Sequence, residues 1–551
     1  MTRLPRFGPH LAVPSMLSAL ALTCSGPDLA AQRWEERLDA QITESTIRAP
    51  LSFLADDLVE GRGVGSRGDA LSRLYLRTQL EMFGAQPAGL DGAWEQPVPI
   101  LGITASVTTP MTFRGPQGEL PLSAPDDCTI FAASPEATTA WEDAEVVFVG
   151  YGITAPEEDW DDFKDVDLTG KVLLVMNNDP EDDPELFAGP CRLYYGRWSY
   201  KYEEAARRGA VGAIVIHTTH SAGYPFQVIQ TGQGREQFWL PFREGEPGLQ
   251  IRSWCAEEAA RAMCKLGGHD LDELRALAET RDFRPVPLGV TANVETSNEI
   301  REIQSANVLG LIPGSDPELK NELVVVTAHF DHLGIGREKN GDAIYNGALD
   351  NASGTAAALN LARVVASMPV APRRSVLFTF VTAEESGLLG SKYYAQNPTW
   401  PVEKIAANFN IDGINIWGAT NDLEMIGYGK NSLSDVAEAV AERRGRRIEP
   451  NKQVELGLFY RSDHFSFARI GVPAAFFKAG VDFLENAQGR RRVKASYTST
   501  RYHQPNDQFD DRWNLDGAVE DTRLILECLL RVANTDATPT WTPGDEFEGR
   551  R

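Results

Sequence analysis

The chain has 551 residues, 42% of them apolar and 9% aromatic, enough for real hydrophobic cores and for two or three domains. A formal net charge of −25 argues against a nucleic-acid partner, because phosphate binding needs basic surface. Six cysteines are too few for a disulfide scaffold, and none lies beside the histidine and carboxylate motifs of the second half, so a structural thiolate site is disfavoured.

In chain order, Arg3 and Arg6 precede an apolar run from Leu11 to Thr23, and Leu29-Ala30-Ala31 offers a small-residue cleavage site. This pattern predicts a secretory signal peptide over residues 1–31, hence a secreted or periplasmic protein. Cys24 offers a lipid-anchored alternative, although Ala21-Leu22-Thr23 matches a lipobox poorly. The run is short and contains Pro14, and no later segment reads as an integral membrane span.

Helical periodicity covers 35–83, broken at Glu60-Gly61-Arg62-Gly63 and stopped at Gly84. Strand-like runs follow at Trp94–Ile100 and Ile103–Phe113. The middle section carries continuous apolar strands at Ala144–Gly150, Lys171–Met176 and Ala213–His217, a helix at Tyr200–Arg208, and a helix-rich piece at Ala256–Thr280. Asn177–Glu185 reads as a solvated acidic loop. Cys255 and Cys264, nine residues apart in a helical pattern, would sit ~13 Å apart and could not pair. Cys528 falls on the apolar face of the last helix.

From Ser305 strands and helices alternate. Strands are predicted at Leu323–Thr327, Val376–Val381, Ile405–Ile411 and Ala474–Lys478, and helices at Gly354–Ser367, Ser386–Gln396, Ser432–Arg443 and Leu515–Ala533. The rhythm implies an α/β fold with a mainly parallel central sheet and helices on both faces.

Most of the chemistry-bearing residues follow these strands. His329, Asp331 and His332 lie just past the first. Residues two apart in an extended segment face the same way, so Asp331 could hold the imidazole of His329; spacing alone leaves either His329 or His332 as a metal ligand. Asp350 precedes a helix, where its ordinary role is N-capping, but Asn351 or Ser353 could cap and free it. Glu384 and Glu385 follow the second strand, Asp412 ends the third, and His503 sits in a polar loop. Singly, each has an ordinary structural explanation. Jointly they gather where open parallel sheets place their sites, at strand carboxyl ends, and three carboxylates with a hydroxide would neutralise two divalent metals.

The motifs AHFDH, GALDNASG, TAEESGLLGS, NID and YHQPND, in this order, resemble those of the co-catalytic zinc aminopeptidases, the family of secreted bacterial leucine aminopeptidases and glutamate carboxypeptidases. The resemblance covers Leu51–Gly89 and Glu302–Ala533. It implies a discontinuous zinc exopeptidase domain over 32–119 and 286–540, followed by a tail over 541–551. DVDLTGKVLLV (165–175) and YEEAARRGAVGAIVIH (202–217) resemble the protease-associated domain often inserted in such enzymes, implying an insert over 120–285 that lies over the cleft as a partial lid. The family pattern implies two Zn2+ per chain, with Co2+ or Mn2+ as possible substitutes. His329 and Asp412 would hold one, Glu385 and His503 the other, with Asp350 bridging. Glu384 would be the general base and Asp331 would orient His329. A cis peptide bond between Asp350 and Asn351 is also implied. Where relatives often carry an oxyanion-holding tyrosine this chain has Phe459, which leaves neighbouring Tyr460 as the candidate.

The expected function is a secreted metallo-aminopeptidase acting on peptides. A carboxypeptidase or dipeptidase with the same metals is the alternative; it would need a cation for the substrate carboxylate, such as Arg461 or the run Arg490–Lys494. An inactive receptor or binding module should have lost ligands, and none is missing. No G-x-S-x-G is present for a serine hydrolase.

Overall fold

The apolar runs with β-branched residues become strands buried on both faces, as the core of a sheet covered by helices requires. In a computed structural model, residues 36–551 are described apart from 181, 182, 185, 231, 243 and 244, so the expected signal peptide lies outside the described residues. The chain divides into residues 1–41 and a second unit, Ile42–Arg551; everything below concerns the second.

Its strands used here are β1 (Glu95–Gly115), β2 (Cys128–Ala132), β3 (Thr138–Phe148), β4 (Val172–Met176), β5 (Gly212–His217), β6 (Ile251–Ala256), β7 (Val286–Ile312), β8 (Leu323–His329), β9 (Ser375–Val381), β10 (Ile405–Asn410), β11 (Asp422–Ile426), β12 (Arg447–Pro450) and β13 (Ala474–Ala479). They run in the order β12-β11-β13-β10-β8-β9-β7-β3-β4-β5-β6-β2 within a sixteen-stranded sheet. β9-β8-β10-β13 are mutually parallel, as are β3-β4-β5-β6. The long strand β7 pairs antiparallel with β3 over its first half (286–297) and with β9 at its end (308–312), joining the two parallel blocks. It also pairs with β1 along most of its length. Such a strand is not legible in its sequence, because its alternating half adjoins a continuously apolar half.

The strands of 120–285 thus extend the same sheet. Asn177, Asn178 and Asp179, expected in a solvated loop, are buried, and Lys201 Nζ donates to the Asn178 carbonyl at 2.7 Å. The expected tail is anchored as well: Trp541 and Phe547 are buried against Tyr460 and Phe465. Cys255 and Cys264 are unpaired, and Cys528 is buried in the helix Asp516–Asn534. Among the described residues no helix is long and apolar enough to cross a membrane.

Candidate metal centre

β8, β9 and β10 are adjacent, parallel and nearly in register: Thr327 stands beside Thr379 and Asn410, and His329 beside Val381. The residues that follow therefore leave the sheet at one edge. His329 ends β8, Glu384 and Glu385 follow β9, and Asp412 follows β10. The helix after the two glutamates was expected to begin at Ser386. It begins only at Leu389, and the glutamates lie in a turn. That turn aims their carboxylates back over the sheet edge.

Asp350 occupies the middle of the group. Its Oδ1 lies 3.4 Å from His329 Nε2 and its Oδ2 lies 3.2 Å from His503 Nε2. His329 Nε2 is also 3.4 Å from Asp412 Oδ1 and 4.0 Å from Glu384 Oε2. Glu385 Oε2 is 3.0 Å from His503 Nε2, and its Oε1 is 2.6 Å from His332 Nδ1. Two donor groups with a common carboxylate result: His329, Asp350 and Asp412, and His332, Asp350 and Glu385, the atoms within each lying within 4.8 Å of one another. All five expected ligands converge, and His332, the alternative left open by spacing, joins the second group.

The backbone is held in place around them. The peptide bond between Asp350 and Asn351 is cis. Asn351 Oδ1 accepts from Gly354 N at 2.9 Å and Gly413 N at 2.8 Å, so Asn351 does the capping and Asp350 is free. Asp507 accepts from the amides of Leu349 and Asp350. Arg62, fully buried, donates to the carbonyls of Phe330 (2.6 Å), Asn346 (2.6 Å), Gly347 (2.9 Å) and Leu54, tying the His329 and Asp350 loops to the N-terminal segment. Gly347 has φ +56°, and a Cβ there would stand 2.4 Å from the His332 ring.

Asp331 acts differently from the expectation. Its Oδ1 is 3.7 Å from His329 Nδ1, an ion-pair distance rather than a hydrogen bond, and it accepts instead from the amides of Glu384 (3.1 Å) and Glu385 (3.4 Å). It orients the glutamate turn more directly than the imidazole. Tyr460 is a correction. Its hydroxyl donates to Glu546 and its ring packs among Tyr194, Phe465 and Phe547, so the hydroxyl is committed away from the centre.

Burial, and then the charges of Glu385, Asp412 and Asp463, hold the Glu384 carboxyl well above the usual range, against the pull of His329. Burial also works to raise Glu385, but His503 and His332 outweigh it and bring it down to about 2. Asp463 is raised to about 7 by burial, and neither of its oxygens makes a hydrogen bond. Asp463, Asp507 and Arg62 were not singled out for the site by sequence. The clearest signal for Asp463 was its place in Ser462-Asp463-His464.

The donor set suits divalent cations. Imidazoles and carboxylates converge in a buried pocket where like charges crowd, and His503 Nε2 is sealed from solvent without a well-aligned hydrogen bond to either nearby carboxylate. Beside it lies a cleft of about 330 Å³ whose apolar wall is Val64, Phe238, Leu333 and Ile335 and whose polar lining includes Glu60, Ser66, His332, Glu385 and Ser386.

Residues 307–527 match the model of peptidase family M28. Leupeptin-inactivating enzyme 1 of Streptomyces exfoliatus is 30% identical over 251 residues, 44% of this chain and 51% of that protein. Aminopeptidase YwaD of Bacillus subtilis is 28% identical over 211 residues, 37% of this chain and 40% of its own. The chain thus spans about half or less of these curated relatives. Among solved structures, an aminopeptidase from Aneurinibacillus sp. strain AM-1 superposes with a TM-score of 0.51 at 20% identity, covering 92% of this chain and 97% of that one: the fold is shared.

Proposed function

We propose that the protein is a secreted zinc aminopeptidase binding two Zn2+ per chain. The observation that carries this reading is the pair of donor groups meeting at Asp350, with Glu384 beside them but not needed by either. His329 and Asp412 would hold one ion, Glu385 and His503 the other, with Asp350 shared. When bound, the ions supply an acidified water and polarisation of the scissile carbonyl.

The chain's own residues then do the following. Glu384, whose proton affinity is raised by burial and like charge, accepts a proton from the attacking water and returns it to the leaving amine. Asp331, holding the amides of Glu384 and Glu385, fixes the base relative to the ligands. The cleft of Val64, Phe238, Leu333 and Ile335 takes an apolar side chain and keeps water from the reacting groups. Phe238 comes from the 120–285 segment, which supports reading that segment as a protease-associated insert reaching over the cleft, with 32–119 and 286–540 forming the peptidase portion.

The test is hydrolysis of free-amine against N-blocked peptides, with and without chelator, alongside elemental analysis. Cleavage of free-amine substrates only, abolished by chelator and restored by zinc, is expected. Cleavage of N-blocked peptides from the carboxyl end would overturn the aminopeptidase reading.

A further inference from the structure

Cys128 and Cys255 face each other at the edge of the sheet. β2 is the outermost strand of the order and runs antiparallel to β6, in a register that sets Cys128 against Cys255, Thr129 against Trp254 and Ala132 against Ile251. Opposite residues of an antiparallel pair alternate between those that exchange backbone hydrogen bonds and those that do not. Both ends of this ladder fix the parity. Ala256 N donates to the Asp127 carbonyl at 2.9 Å, and Ala133 N donates to the Gln250 carbonyl at 2.9 Å. Each joins directly opposite residues, so Asp127 and Ala256 are a bonded pair and Cys128 and Cys255, one step along, a non-bonded one. Ile130 agrees: its amide turns away from β6 and donates to Gln233 Oε1 at 2.7 Å.

A non-bonded pair is the close one, with Cα atoms about 4.5 Å apart and the two side chains on one face. A disulfide spans Cα separations of about 4.4–6.8 Å, so this position admits one. Both cysteines are thiols in the structure, fully buried in one core cluster with Ala259 and Met263. Burial pushes the Cys128 thiol up to about 12 and the Cys255 thiol well above its ordinary range, so neither is a nucleophile once β2 has docked. Cys264 reaches the same core from the helix Glu257–Leu266 and is the competing partner.

We propose that Cys128 and Cys255 form a cross-strand disulfide that fastens the edge strand of the 120–285 segment. The inference is independent of the metal reading and rests on the secreted reading for its oxidising compartment. Before β2 docks, one cysteine gives up its proton and its thiolate attacks a small disulfide of the glutathione class, releasing one thiol. The second cysteine thiolate then attacks the mixed disulfide and releases the other. Two protein thiols are oxidised, the S–S bond of the oxidant is reduced, and the two protons leave on the released thiols. The chain between the cysteines carries Tyr194, Glu203 and Phe238, which meet Phe465, Arg469 and the cleft. The bond therefore closes a long loop, where a cross-link restrains the unfolded chain most, and the loop it closes is the part that reaches the peptidase portion.

In the experiment, the fully reduced, full-length chain is refolded with zinc in oxidised glutathione. Remaining thiols are alkylated, and proteolytic peptides are mapped by mass spectrometry without reduction. One linked pair joining the Cys128 and Cys255 peptides is expected, with every other cysteine alkylated and a Tm several degrees above that of the reduced form. Cys128→Ala and Cys255→Ala should each remove both the linkage and the redox dependence of Tm. No linked peptide, or a Cys255–Cys264 linkage in its place, overturns the pairing; equal Tm in the two forms overturns the fastening role. If the alanine variants fail to fold, the wild-type linkage map and the Tm of its two forms decide. The same map on protein recovered after export tests the compartment: a pair linked on refolding but free after export overturns the secreted reading and leaves the pairing standing.

Discussion

His332 Nδ1 lies 2.6 Å from Glu385 Oε1, while the other oxygen of that carboxylate faces His503 Nε2 at 3.0 Å. Glu385 is thus gripped from both sides by rings 5.6 Å apart. The second histidine of His-Phe-Asp-His braces the carboxylate through the oxygen that His503 does not face. Loss of such a support typically costs 10–100-fold in metal affinity or activity. His332→Ala is expected to weaken zinc binding by about that range, and His503→Ala, which removes a proposed ligand, by more. Chelator competition measures both, and the reverse order would make His332 the ligand.

Asp350 serves both donor groups. Asp350→Asn is therefore expected to lose most of both metals together with activity. Elemental analysis of the variant checks this. Full retention of two ions, or fully active wild-type enzyme with a single ion, would remove the shared-carboxylate arrangement.

The neighbouring glutamates should separate cleanly. Glu384→Gln is expected to keep its metal and lose kcat by at least about 100-fold, the range of a general base. Glu385→Gln is expected to lose metal. Paired metal analysis and kinetics decide, and swapped outcomes would exchange the two roles.

Tyr460 has a hydroxyl committed to buried Glu546. Tyr460→Phe is expected to change kcat by less than about three-fold while lowering stability by about 1 kcal/mol, the net worth of one hydrogen bond, since Lys430 still pairs with Glu546. Denaturant melts and steady-state kinetics separate the effects. A loss of kcat by two orders of magnitude with unchanged stability would return Tyr460 to the oxyanion role.

His464 is fully buried, with both ring nitrogens unpartnered, and burial lowers its pKa to about 3. Below pH 6.5 the unfolded chain binds a proton that the folded chain refuses. Stability should therefore fall as pH drops from about 6.5 toward 3, by up to about 1.4 kcal/mol per pH unit from this group. His464→Gln should have a shallower acid slope in Tm. An identical slope in variant and wild type would rule out His464 as the source.

Much of the centre was legible because its chemistry lies in short local words. HFDH, LDN, AEE, NID and YH each place a ligand-type residue beside a strand end or in a loop, and parallel strands carry their ends to one edge whatever the exact register. Local pattern also showed β8, β9 and β10, since a continuous run of branched apolar residues has few alternatives. It did not show that Glu384 and Glu385 sit in a turn rather than on a helix, because Asp331 holds their amides from another strand. Nor could it choose between His329 and His332, or commit the Tyr460 hydroxyl, whose partner Glu546 lies 86 residues away. What the sequence alone determined was the inventory of candidate donors and the α/β scaffold, each encoded in short local runs. What only the tertiary structure decided was the partnering: which histidine faces which carboxylate, and that Arg62 ties two loops together. Those choices depend on long-range packing, where side chains distant in sequence compete for the same buried donors and acceptors.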